Sequence, residues 1–240
     1  MAGRRRWTAG LRCSGQAALA LAGLLLSVIV LAGGGCGERV EVHPALRVSE
    51  QDLKRAREEG ERIARCRGDP YQVFRSGAQA VHLRVSSDVI LREAGICWPA
   101  EEIAFRVAQI NEVSAAGVQR AAREALRTSQ RQIRFWAVVQ VPKSRDPAEL
   151  QFAMRTSAGV EYPPLPVEAP VYLRDISSAL DPGMPPSALY SCMVRFPIRG
   201  APGYPPIGPG VSSLTLVVRD ATAETTVSFP LRAPATPWGR

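Results

Sequence analysis

Apolar and polar positions along the chain change period several times, and each change marks an element. From Ala17 to Ala32 every residue is apolar or small. Residues 37–47 carry too few recurring apolar side chains to specify an element, so residues 36–47 read as a short tether. Leu53, Ala56, Gly60, Ile63 and Ala64 then recur three or four apart, a thin stripe at helical spacing. Ser49 and Asp52 ahead of the stripe fit a capping box, and Gly68-Asp69-Pro70 stops the helix. Gly60 inside it costs about 1 kcal/mol relative to Ala. Residues 79–86 alternate, with Val81, Leu83 and Val85 on one face and His82 and Arg84 on the other, which predicts a half-buried strand returned by Val89-Ile90-Leu91. Pro99 opens a second helix, with Glu101 and Glu102 in its first turn, where the dipole favours anions. Ile103, Val107, Ile110, Val118, Ala121, Ala122, Ala125 and Leu126 give that helix one apolar face, and Gly117 is the place for a kink or split.

From Ile133 the period drops to two. Phe135, Ala137, Val139 and Val141 form one strand, Leu150, Phe152 and Met154 the next, and Val171 and Leu173 a third. Tyr190, Cys192, Val194 and Phe196 alternate with Ser191, Met193 and Arg195, followed by Leu214, Leu216 and Val218 and then by Val227, Phe229 and Leu231. Strands with turn-rich gaps after a helical stretch predict an α+β chain, a helical segment followed by an immunoglobulin-like antiparallel β-sandwich. The expected division is a mainly helical region with a short strand pair over 48–130, the sandwich over 131–234, and a tail over 235–240. Cys192 faces inward on this pattern as an inert core thiol, and Pro230 puts the last strand at an edge or a bulge.

Ahead of all this, Arg4, Arg5, Arg6 and Arg12 form a basic front with no acidic residue before Glu38. The 17–32 run is shorter than the roughly 20 residues a membrane-crossing helix needs. Basic front, short apolar run and then small residues are the order of a secretory signal. Gly33, Gly34 and Gly35 are the small residues, and Cys36 follows at once. This arrangement resembles the signal of bacterial lipoproteins, with Gly34 and Gly35 in the two positions before the cysteine and Gly33 where a Leu-like residue is usual. The resemblance implies removal of residues 1–35, with diacylglycerol and fatty acyl chains placed covalently on Cys36 and no other cofactor. It implies an extracytoplasmic body held on the bilayer, and Gly37 rather than Asp favours the outer membrane where there are two. Each buried CH₂ of such chains contributes about 0.8 kcal/mol, and two or more chains hold stably. Cleavage near Ala32 by a conventional signal peptidase and retention as an uncut anchor are the competing readings.

The formal net charge of +8 includes those four arginines, which leaves the rest of the chain at about +4. No arginine run is interleaved with aromatics, so no nucleic-acid partner is expected. Of five cysteines, Cys66, Cys97 and Cys192 belong to the body. An oxidising compartment allows one bridge, and Cys66 with Cys97 is the better pair, against the alternative of free small apolar residues. Neither a CxxC, a GxSxG, an HExxH nor a phosphate loop occurs, and no catalytic residue or metal ligand is singled out. Tyr162-Pro163-Pro164 and Tyr204-Pro205-Pro206 set an aromatic beside a stiff run, which makes Tyr162 and Tyr204 candidate binding residues or plain connectors. The expected function is a non-enzymatic lipoprotein binding or scaffolding another cell-envelope component, with the bilayer as partner through the anchor and an envelope protein as a further candidate partner. An accessory subunit of a secretion or pilus assembly and an extracytoplasmic enzyme are the alternatives.

Overall fold

A computed structural model describes residues 41–76, 78–111, 113–166, 168–176, 185–199, 202–221 and 223–231. The signal, Cys36, Gly37 and the 235–240 tail lie outside the described residues. Among the described residues there are three α-helices, α1 (Glu50–Arg65), α2 (Pro99–Ala108) and α3 (Ala115–Ser129). Nine strands accompany them: β1 (Ala78–Arg84), β2 (Ile90–Cys97), β3 (Gln132–Pro142), β4 (Gln151–Thr156), β5 (Glu161–Tyr162), β6 (Val171–Ile176), β7 (Ser187–Pro197), β8 (Ser213–Asp220) and β9 (Ala223–Pro230).

The period-two positions decide the sheets. One sheet has the order β1-β2-β3-β7-β6 and the other β5-β4-β8-β9, every pairing antiparallel. Phe135, Val139, Cys192, Val194 and Phe196 of the first sheet share one buried cluster with Phe152, Met154, Leu214, Leu216, Val218 and Phe229 of the second. Phe135 meets Phe196 and Phe229 edge-on at 5.6 and 5.5 Å between ring centroids, a geometry favoured by the ring quadrupoles. The fold is therefore α+β, with two antiparallel sheets around a common core. Pro230 ends β9 at the sheet's edge, where a missing N–H costs no ladder bond.

The helices have a core of their own. Ala56 and Ile63 of α1, Ile103, Ala104 and Val107 of α2, and Val118, Ala122 and Ala125 of α3 make it up. Ser49 caps α1 through the expected box with Asp52. Gly60 turns out to be the contact that seats α1 on α2: a Cβ there would lie 2.5 Å from the Ala104 carbonyl oxygen and 2.7 Å from Val107 Cβ. Phe74, Phe105, Cys97 and Met193 form a third cluster that fastens the helices to the outer face of the five-stranded sheet.

Several expectations change. The 99–131 helix is two helices, and the break falls at 109–114 rather than at Gly117, which sits in the first turn of α3 and donates its N–H to the cap Ser114. The Val89–Leu91 run extends to Cys97, with a bulge between Leu91 and Glu93 that returns Ala94 and Ile96 to the core face. Because β2 pairs along β3, the 130/131 division runs between two bonded strands. Residues 41–47 are seated on the body: the His43 N–H donates to the Ile207 carbonyl (2.9 Å), and Ala45 and Leu46 are buried.

Candidate functional site

Side chains alternate across β3, so while Phe135, Ala137 and Val139 enter the core, Arg134, Trp136, Val138 and Gln140 face the other way. The helical layer covers the part of this outer face that carries Cys97, Arg134 and Met193. The remainder is open. A groove of about 690 Å³ lies there, with Trp136, Val138, Leu189 and Ser191 as its floor. Asp69 and Tyr71 wall it on the helical side, and Val171, Leu173 and Arg174 of β6 on another. A second depression of about 510 Å³ shares Ala80, Glu93, Val138, Arg174 and Leu189 and continues to His82 and Ile176. Both volumes lie in the range of binding clefts, and a mostly apolar floor with few polar groups is the usual make-up of one.

The polar groups are spread along it. Trp136 Nε1 donates to Ser191 Oγ (2.9 Å), which fixes the indole in the floor. Glu93 on β2 and Arg174 on β6 stand on either side, separated by the two strands β3 and β7, or about 14 Å at ordinary strand spacing. Strand β6 is the outermost of its sheet, and its residues are exposed along most of its length. Val171 is 56%, Tyr172 54% and Leu173 47% exposed, and Tyr71 across the groove is 46% exposed. An edge strand with apolar side chains and a free row of backbone groups is a template for an added strand. A bulge between Tyr172 and Arg174 interrupts its ladder with β7, and Lys143 Nζ donates to the Asp175 carboxylate (2.6 Å) beyond it.

A buried charge cluster lies beneath the helices. Arg134, 4% exposed, reaches Glu102 at 3.2 Å, and Arg106 donates to the same carboxylate at 3.0 Å. The Arg134 guanidinium also lies 5.8 Å from the Phe105 ring centre. Glu101 accepts from the Trp98 N–H (3.0 Å), so the two glutamates of the helix start divide between cap and cluster. Burial and the neighbouring Glu102 push the Cys97 thiol well above its ordinary range, and burial holds the Cys192 thiol up at about 12, so both stay protonated and unreactive.

The candidates from the sequence fare differently. Cys66 and Cys97 are free thiols and not a bridge: Cys66 is exposed at the end of α1, whereas Cys97 is sealed among Phe74, Phe105 and Met193. Tyr162 is a core residue, 1% exposed, and its hydroxyl donates to the Pro205 carbonyl (2.6 Å). Tyr204 stacks on it at 5.5 Å and lines a separate depression with Pro163 and Pro164, so the two Tyr-Pro segments fasten to each other. His82 is exposed, and His43 accepts from the Ala45 N–H (3.1 Å) as the cap of a short turn. The groove was missed because a single-face reading of Ile133–Val141 leaves Trp136 and Val138 as solvent positions. That this run is apolar on both faces was the signal available. Among the described residues, no group of three or more His, Cys, Asp or Glu side chains is placed to hold a metal, and no helix is long and apolar enough to cross a membrane.

No family model matches the chain, and no curated protein matches it. Among solved structures, a Burkholderia pseudomallei protein described as a novel protein of unknown function is similar at 11% identity, over 78% of this chain and 91% of that one, with a TM-score of 0.27. A superposition that loose carries no argument about fold or function.

Proposed function

We propose that this chain is a lipid-anchored extracytoplasmic protein that binds another cell-envelope protein on the open face of its five-stranded sheet. The observation that carries the reading is the groove over Trp136, Val138 and Leu189, bordered by the exposed apolar residues of β6 and by Tyr71. Its occupant is an extended polypeptide lying in the groove, with apolar side chains set toward the floor and against Val171 and Leu173. The arginine-rich signal, its apolar run and Cys36 support the anchor and the compartment.

The strand orders support an immunoglobulin-like assignment for the sandwich. In the first sheet β2-β3-β7-β6 follows the A-B-E-D order, and in the second β5-β4-β8-β9 follows C′-C-F-G. Strand β1 is then an addition outside the first strand, and α2 and α3 are an insertion between the first two strands.

Site-directed photo-crosslinking in the producing cell tests the binding reading. A crosslinker at Leu173 should yield a discrete adduct with an envelope protein, and one at Thr226 on the opposite sheet should not. No adduct from Leu173, or the same adduct from both positions, would end the proposal. A Val138→Arg change should abolish the Leu173 adduct by filling the groove with a charge.

A further inference from the structure

The short stretch ahead of the described residues limits where the body can stand. Five residues lead from Cys36 to Glu41, which reach at most about 18 Å fully extended. The chain is then pinned: the His43 N–H bonds the Ile207 carbonyl, and Ala45 and Leu46 enter the core. Ile207 in turn donates to the Ile198 carbonyl (3.0 Å), and Ile198 to that of Arg131 (2.8 Å). The attachment therefore falls at the end of the sandwich where β3 starts and β7 finishes. Among the described residues of the segments gathered there, 41–47, 130–131, 157–160 and 198–212, the charged side chains are Arg47, Arg131, Arg199 and Glu41, all exposed, with Glu41 paired to Arg47 (3.0 Å). The opposite end of β3, at Lys143, is roughly 35 Å away along the strand.

Resting on the reading of Cys36 as the acyl carrier, we propose that this end lies against the bilayer surface, with Arg131 and Arg199 facing anionic headgroups. Surface charges act over about 8 Å at physiological ionic strength, so the arginines contribute only if the body stands close, which the short attachment enforces. The occupant of this end is the membrane itself, since the chain between lipid and body is too short to place the Lys143 end there without first releasing residues 41–47 from the core.

The test uses the acylated full-length mature protein in a Cys66→Ser background, which removes the exposed thiol. Fluorophores are placed at Arg131→Cys, Arg199→Cys or Lys143→Cys, and the protein is reconstituted into phosphatidylethanolamine–phosphatidylglycerol vesicles carrying a headgroup quencher. Mass spectrometry of each sample records the acyl chains. Labels at 131 and 199 should lose most of their emission while that at 143 keeps its own. An acylated protein quenched equally at all three positions, or more at 143, overturns the orientation alone. A mature chain without acyl mass overturns the anchor and the orientation with it.

Discussion

At the residue scale, two side chains concentrate the consequences. Arg134 is enclosed and shares Glu102 with Arg106, so truncating it leaves a buried carboxylate with one arginine partner instead of two. Removing one member of a buried pair costs about 3–5 kcal/mol, and we expect Arg134→Ala to lower unfolding stability in urea by about that amount. Replacing the pair with apolar side chains, Arg134→Met with Glu102→Leu, should recover most of the loss. His43 is the second. Burial first and the Arg47 charge second hold its pKa below the ordinary 6.5, so the folded state binds the proton less readily than the unfolded chain. Its contribution is thus present above about pH 6.5 and lost as pH falls below that toward the lowered pKa. The thermal midpoint should drop between pH 7.5 and 5.5, and His43→Asn, which caps the same turn without titrating, should flatten that slope. Neither role was legible in the sequence. Nothing in one dimension links Glu102 to Arg134, and His43 lies in a stretch whose apolar residues, Val42, Ala45 and Leu46, are too few to show a period.

At the element scale, the α1–α2 crossing depends on the absence of a side chain at Gly60. Helix propensity alone favours Ala there by about 1 kcal/mol. The backbone carbonyl of Ala104 stands where the methyl would go, and a carbonyl on a packed helix yields only if the helices part. Gly60→Ala should therefore destabilise by about 1–3 kcal/mol in urea titration, the reverse of the propensity effect. Two arginine clamps act on the strands. Arg145 holds Asp220 (2.7 Å) and also reaches Asp88, so it ties the turn before β2 to the end of β8, and it holds the Asp220 carboxyl well below its usual range. Arg219 first, and Arg155 after it, hold Glu161 at about 2 on the outer face of the second sheet. Folded pKa values below the ordinary ones mean stability that is present above about pH 4.5 and lost as pH falls toward 2. Acid unfolding followed by circular dichroism should move toward neutral-pH behaviour, with a shallower slope, in Arg145→Gln. The strands themselves were legible because alternation such as Tyr190 to Phe196 survives in a line of letters. The far half of β2 was not, since Arg92 and Glu93 interrupt its apolar run at the bulge. The exposure of Val171 and Leu173 was not legible either, because alternation reports a strand and says nothing of what covers it.

For the whole molecule, the lipid reading has a direct check. Cells fed a fatty-acid analogue should label the wild-type chain and leave Cys36→Ser unlabelled and free of the membrane. A mutant that stays labelled would remove the anchor. The groove was the part least legible in the sequence, because it exists only where the helical layer stops short of the sheet's full width. The bulge at β6 governs how the molecules tolerate one another. A straight outermost strand offers an identical chain a seam, and chains confined to a surface meet often enough to extend that seam into a ribbon. The extra residue at Leu173 makes the rim crooked, which disfavours flush pairing with a second copy of the same strand. Edge-to-edge growth along β6 is therefore blunted in any dense preparation of the protein.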